Sequence, residues 1–179
     1  MAFTVQDDTG TVDGANAYIS TAYMVSYFAD RNITIANTTD AEIAKNEAAI
    51  IRATSYVDQR FCYIGAKLEG YDQTTQWPRE QSSFGGVYVG EDLVEGLPRE
   101  VEQASAEYAY RAWLDADGAV QADPTLDPNI KSERKKLDVL VKDTEYWGAG
   151  NSLPVYPTAD NILTRSDLTC SGQKTVGRA

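Results

Sequence analysis

No histidine occurs among the 179 residues. Its absence removes the commonest general base and the commonest side-chain metal ligand, so Ser-His-Asp, Cys-His and imidazole–metal chemistry are excluded within this chain. Soft ligands are scarce as well. Cys62 and Cys170 are the only two cysteines and stand too far apart to form a zinc pattern, with nothing else soft to complete a tetrahedral site. They are expected as a reduced pair, because disulfides are rare in the cytosol. A phosphate-cradling loop is missing too: Gly85-Gly86 leads into Val87-Tyr88-Val89, without the Lys or Ser/Thr a nucleotide needs. No apolar run approaches the roughly 20 residues that cross a bilayer. The opening MAFTVQDDTG has neither a basic n-region nor an apolar h-region, so a soluble chain made in a cytoplasm, with no membrane partner, is expected.

Positive charge is the other shortage. Lys and Arg number 16 against 27 Asp and Glu, a formal net charge of −11. With so many acids, neighbouring carboxylates arise by chance, and Asp7-Asp8, Glu91-Asp92 and Asp115/Asp117 show no acid/base spacing; each reads as solvated surface. The expectation is a protein that is not an enzyme, with no catalytic residue, no metal and no cofactor. Hydrophobic residues at 42% and charged residues at 24% describe a globular chain whose length suits one domain over 1–179.

Periodicity then organises the chain. Ser20 can cap a helix that carries Tyr23, Met24, Tyr27 and Phe28 on one stripe and ends near Asp30-Arg31. Thr39 followed by Glu42 is a capping box, and Ile43, Ile50, Thr54, Val57 and Phe61 recur at helical spacing, predicting a helix over about 40–61. A third helix starts at Leu97-Pro98, with Pro98 at its first position and Val101, Ala104, Ser105, Tyr108 and Ala112 facing inward; it stops before Gly118. The candidate core is therefore Tyr27, Ile43, Ile50, Val57, Phe61, Val101 and Tyr108. The fold class expected is mainly α: a small bundle of three to four helices with a long central loop, a β-hairpin or extended β segment, and extended terminal arms.

The central loop, about 62–96, is long for a compact domain, which points to a function or to a ligand of its own scaffold. In its middle stands TTQWPRE. Pro78 fixes its own φ and biases Trp77 toward an extended backbone, so the indole projects from a stiff corner. Burial of Trp77 against the helices is the plain reading. Arg79 would then sit at the rim, open to a bidentate carboxylate from helix two, helix three or another subunit. Beyond the turn-rich QADPTLDPN, the alternation Leu137, Val139, Val141 is strand-like. The knot before it, Lys131, Arg134, Lys135 and Lys136 against Glu133, is a basic island that suits either a solvated strand end or contact with acidic surface on a neighbour. Residues 1–14 and about 168–179 are polar and are expected as flexible arms.

Taken in order, ANAYISTAYMVSYFADR, AAIIRATSYVDQRF, GAKLEGYDQTTQWPRE, GLPREVEQASAEYAYRAW, IKSERKKLDVLVKD, VYPTADNIL and GRA resemble a family of tailed-phage proteins. Some members are labelled DnaT-like single-stranded-DNA-binding, and others look like head–tail connector adaptors, or head-completion proteins. The resemblance covers roughly residues 15–165. The most specific pieces are A-x-x-I-R-A-T-x-Y-x-D, W-P-R about twenty residues on, and the L-P-x-x-V-x-x-A helix start. TRSDLTCSGQK near the end is more polar than the leucine-rich close associated with relatives.

The adaptor resemblance implies a homo-oligomeric, usually dodecameric, ring in the virion neck, assembled in the host cytoplasm. Its partners would be the portal protein, a head-closure (stopper) or tail-terminator protein, and double-stranded DNA sliding through the lumen without specific binding. Candidate subunit or portal contacts are Trp77, Pro78, Arg79, Lys131, Arg134, Lys135, Lys136, Arg165 and Arg178. The alternative is a DnaT-like single-strand-binding replication accessory protein, which needs a cationic groove with stacking aromatics. The balance of −11 runs against that need, and Tyr18, Tyr23, Tyr27, Tyr56 and Tyr108 lie on or near core stripes. The sequence therefore favours the connector.

Overall fold

The computed structural model describes residues 2–81, 86–89, 91–114, 130–136, 141–146 and 156–170, with 130–136 and 141–146 given as backbone. Four helices and three two-stranded antiparallel sheets make up the described part. Helix α1 (Thr21–Ala29) begins where the Ser20 hydroxyl accepts from the Tyr23 N–H, which satisfies one of the donors a helix start leaves open. It buries Met24, Tyr27 and Phe28. Helix α2 (Asp40–Arg60) opens with the expected capping box: Thr39 accepts from Glu42 N–H while the Glu42 carboxylate takes the Thr39 N–H. Those contacts, with the Thr38 N–H and hydroxyl, hold the Glu42 carboxyl down at about 2.

Helix α3 (Arg99–Leu114) starts one residue later than expected, since Pro98 supplies the carbonyl that receives the Val101 and Glu102 N–H groups. Val101, Ala104, Ser105, Tyr108 and Ala112 are all buried along it. Small residues let α3 lie close against α2, where Ile50, Ala53 and Val57 face it. A fourth helix, α4 (Pro157–Thr164), packs on α3 and contributes Ala159 and Leu163 to the same core. Tyr27, Ile50, Val57, Phe61, Val101 and Tyr108 are buried, whereas Ile43 is only half-buried. One turn on, the buried position goes to Asn46, whose amide donates to the Ala36 carbonyl and to Asn37 Oδ1, tying α2 to the loop before it.

The long connection between α2 and α3 is structured. Strands β1 (Ala66–Lys67) and β2 (Arg79–Glu80) pair, and β3 (Gly86–Val89) pairs with β4 (Asp92–Glu95). Gly65 precedes β1 at φ +73°, and a Cβ there would lie 2.5 Å from the Glu80 carbonyl oxygen, so the close approach of the two chains requires glycine. Strand β5 (Ile130–Lys136) runs over the basic residues and pairs with β6 (Val141–Tyr146). Of the strand-like alternation Leu137, Val139 and Val141, Val141 opens β6, while Leu137 and Val139 lie outside the described residues.

Both termini differ from free arms where they are described. Val5 bridges to Ala17, the Gln6 N–H donates to the Ala17 carbonyl, and Gln6 is buried. At the other end Leu168 is core, Tyr63 bridges to Thr169, and Cys170 forms a disulfide with Cys62 at a Cα–Cα distance of 5.5 Å. The expectation of a reduced cysteine pair is thereby corrected. Backbone bonds Ile64 N–H to Leu168 O and Cys170 N–H to Cys62 O bring the two chain segments side by side, within the reach a disulfide needs. Residues 171–179, with Arg178, lie outside the described residues.

Candidate functional site

The corner at residues 73–80 is held from beneath by its own scaffold. Trp77 is fully buried and meets the Tyr63 ring edge-on, with centroids 5.6 Å apart. The Trp77–Pro78 bond is cis. Tyr18, on the segment before α1, places its hydroxyl under the corner, where it accepts from Gln76 N–H at 2.9 Å and Trp77 N–H at 3.1 Å and donates to the Asp58 carboxylate of α2. Asp58 also accepts from Gln76 N–H at 3.2 Å. Burial is the main influence on Asp58 and pushes its carboxyl up to about 6, although Tyr18, Gln76 and the charges of Lys67 and Arg79 all pull the other way. Burial and the Asp58 charge drive the Tyr18 phenol well up in turn.

Gln73 and Thr75 close the inside of the loop. The Gln73 amide donates to the Thr75 and Pro78 carbonyls, and the Thr75 hydroxyl donates to the Trp77 carbonyl while accepting from Gln6 Nε2. Arg79 does not meet a carboxylate. Its guanidinium donates to the carbonyls of Ile64, Gly65 and Gln76 and to Gln76 Oε1, and burial holds its pKa below the ordinary arginine value. The planar fork thus staples β2 to the turn before β1, inside one chain, where an interface role had been expected.

A second anchor joins α2, α3 and α4. Arg60 and Asp160 form a buried bidentate pair, Nε to Oδ1 at 3.1 Å and Nη2 to Oδ2 at 2.7 Å, and the Tyr108 hydroxyl donates to the same carboxylate. Burial first, then the Asp160 charge, raises the Tyr108 phenol far above its usual range.

Several cations among the described residues are engaged within the chain. Arg31 lies 3.5 Å from the Tyr27 ring centre and donates to the Tyr27 carbonyl, Lys45 sits 4.1 Å over Trp113, Lys67 donates to the Gln73 carbonyl, and Arg99 pairs with Glu100. Between β4, the start of α3, and α4 runs a groove of about 830 Å³, lined by Leu93, Leu97, Pro98 and Ile162 with Asp92, Glu95 and Glu100 among its acids. Arg165 is exposed and lines the α4 side. Lys131, Arg134, Lys135 and Lys136 all lie on β5, with Lys135 opposite Lys142 of β6 in the register. Of the nine candidate contact residues eight are described: Trp77 and Pro78 are buried, Arg79 is half-buried, Arg165 borders the groove, and Lys131, Arg134, Lys135 and Lys136 lie on β5.

A family model described as "Putative DnaT-like ssDNA binding protein" matches residues 1–179. The chain belongs to this DnaT-like family. No curated protein and no solved structure matches it. For this DnaT-like chain, three groups central to the site, Tyr18, Asp58 and Asp160, were given no role by sequence reasoning, although Asp58 closes the A-x-x-I-R-A-T-x-Y-x-D motif and Tyr18 was placed near a core stripe. Asp58 stands directly after the core position Val57, which is a signal for an acid at the edge of a buried stripe. Asp160 carried no such mark, because α4 is short and its partner Arg60 lies 100 positions away.

Proposed function

We propose that the protein is a head–tail connector adaptor: a structural ring subunit that sits beneath a portal, completes the head after DNA packaging, and offers a docking surface to the next neck or tail component. The observation that carries this reading is the disposition of charge. A single-strand binder needs cations lined along a groove with open aromatic faces, since neutralised phosphates supply most of its affinity. Here Arg31, Lys45, Arg60, Lys67, Arg79 and Arg99 are engaged by rings, carbonyls or carboxylates of the same chain. The groove itself carries Asp92, Glu95 and Glu100 beside Arg99 and Arg165, a mixed lining and not a cationic track. A dodecamer of chains at −11 would bear roughly −130 in all, and such a wall repels passing phosphate over about 8 Å at physiological salt.

Single-strand binding is the second reading, and the family description speaks for it more directly than for the connector. The basic residues of β5, with Lys142 opposite them, are the local source of cations that could support it. Oligonucleotide retardation separates the two. The connector predicts no retardation at about 100 mM salt, whereas a strand binder retards strongly and loses affinity steeply as salt rises. Tight binding by the parent chain, abolished in Lys135→Glu/Lys136→Glu, would make strand binding the better account.

A further inference from the structure

Among the described residues strand β4 has one paired edge. It bonds there to β3, and β3 is occupied on its far side, where Gln81 N–H donates to the Gly86 carbonyl. No strand takes the outer edge of β4 among the described residues. All four residues of β4 line the groove, while β3 contributes Val89 alone, so the open edge is the wall of that groove. Its floor is apolar, from Leu97, Pro98 and Ile162, and Leu93 is 39% exposed above it. Asp92 and Glu95 are exposed on the strand itself.

An uncovered edge beside an apolar floor is a template for strand addition, in which main-chain bonds supply affinity and side chains decide the partner. The acids forbid one β4 from pairing with another, because like charges across such an edge repel. They favour a basic strand. The β5–β6 ribbon is a preformed one: among the described residues it pairs only with itself and no strand takes either outer edge, and Lys131, Arg134, Lys135 and Lys136 lie on β5. A preformed strand avoids most of the ordering cost that a flexible segment would meet on binding.

We infer that the groove along β4 is the docking site for the β5–β6 hairpin of a second copy of this chain, joined edge to edge, with Asp92 and Glu95 of one copy facing the Lys135–Lys136 end of the other. The contact is heterologous, since hairpin and groove are different surfaces, and it propagates from copy to copy. It deepens the connector reading by naming the surfaces between subunits, yet it does not depend on a portal.

Carbodiimide cross-linking of an equal mixture of isotopically heavy and light full-length chains tests it, because the reagent joins a lysine amine to a carboxylate only when they touch. The expected products link Lys135 or Lys136 to Asp92, Glu95 or Glu100, with one heavy and one light partner. Lys135→Glu/Lys136→Glu alone loses these products because the amines are gone, and Asp92→Lys/Glu95→Lys alone loses those to positions 92 and 95 because the carboxylates are gone, while in each like charges face each other. Mixing the two variants restores links between heavy and light chains: the original acid and amine where the intact hairpin meets the intact groove, and the acid and amine exchanged where the two substituted surfaces meet. Links found only within one chain, links to other acids, no links, or no rescue on mixing overturn the assignment. Oligonucleotide binding is a separate readout, so failure of the docking site and failure of the connector reading are told apart.

Discussion

Asp58 is the buried carboxyl on which the corner depends, and its position sets a sign for pH dependence. Its folded pKa lies at about 6, above the ordinary 3.8. The folded state therefore binds a proton more readily than the unfolded chain, and stability rises as pH falls through 6. Between about pH 7 and pH 5 the gain should be about 1 kcal/mol, read as a shift in the denaturant midpoint, and Asp58→Asn should remove it. Glu42 acts in the opposite sense. With a folded value of about 2 against 4.5, its contribution is present above the unfolded value and is lost as pH falls below it. The stability profile should thus rise on mild acidification and turn over at lower pH. A flat profile for the parent between pH 7 and pH 5 would show that Asp58 is not desolvated as described. Trp77 offers a simpler test at this scale. Truncation to Ala should cost roughly 3–5 kcal/mol in equilibrium unfolding, the range for a large buried aromatic. A Trp77→Ala chain that unfolds like the parent would contradict its burial.

At the scale of elements, one charge pair and one covalent link reinforce the apolar packing of α2, α3 and α4. Removing Arg60 leaves Asp160 buried with only its Tyr108 and backbone contacts, and breaking a buried pair in this way costs roughly 3–5 kcal/mol. Replacing both partners with apolar residues of similar size should cost far less, because the desolvation of two charges is then avoided. The Cys62–Cys170 bond closes a loop of 108 positions, and in the chain-entropy view such a cross-link contributes about 4–5 kcal/mol. A reductant should therefore lower the melting temperature of the parent and leave a Cys62→Ser/Cys170→Ser variant unmoved.

How much of this was legible follows from the range of each interaction. The caps of α1 and α2, with Ser20, Thr39 and Glu42, and the inward stripe of α3 are local patterns, and the sequence displays them directly. Arg60 with Asp160, Cys62 with Cys170, and Tyr18 under Trp77 join residues separated by a third of the chain or more, and no local period marks such partners. Arg79 is a related case. A guanidinium in a loop signals an acceptor but not which one, and here the backbone carbonyls of Ile64, Gly65 and Gln76 take it. The basic residues were found by composition, and they lie on β5, a strand that the alternation ending at Val141 did not mark.

For the whole molecule, the central claim is that an acidic DnaT-like chain serves as a neck subunit and leaves nucleic acid alone. The described core lies on other elements, so charge reversal on the hairpin is expected to leave the helical core folded and to separate folding from assembly. The most direct measurement is co-sedimentation of the protein with portal-bearing capsids that lack tails, for the parent and for Lys135→Glu/Lys136→Glu. The account predicts that the parent sediments with the capsids, and that the charge-reversed chain keeps its helical circular dichroism yet stays in the supernatant. A parent chain that remains in the supernatant while retarding single-stranded oligonucleotides would contradict it.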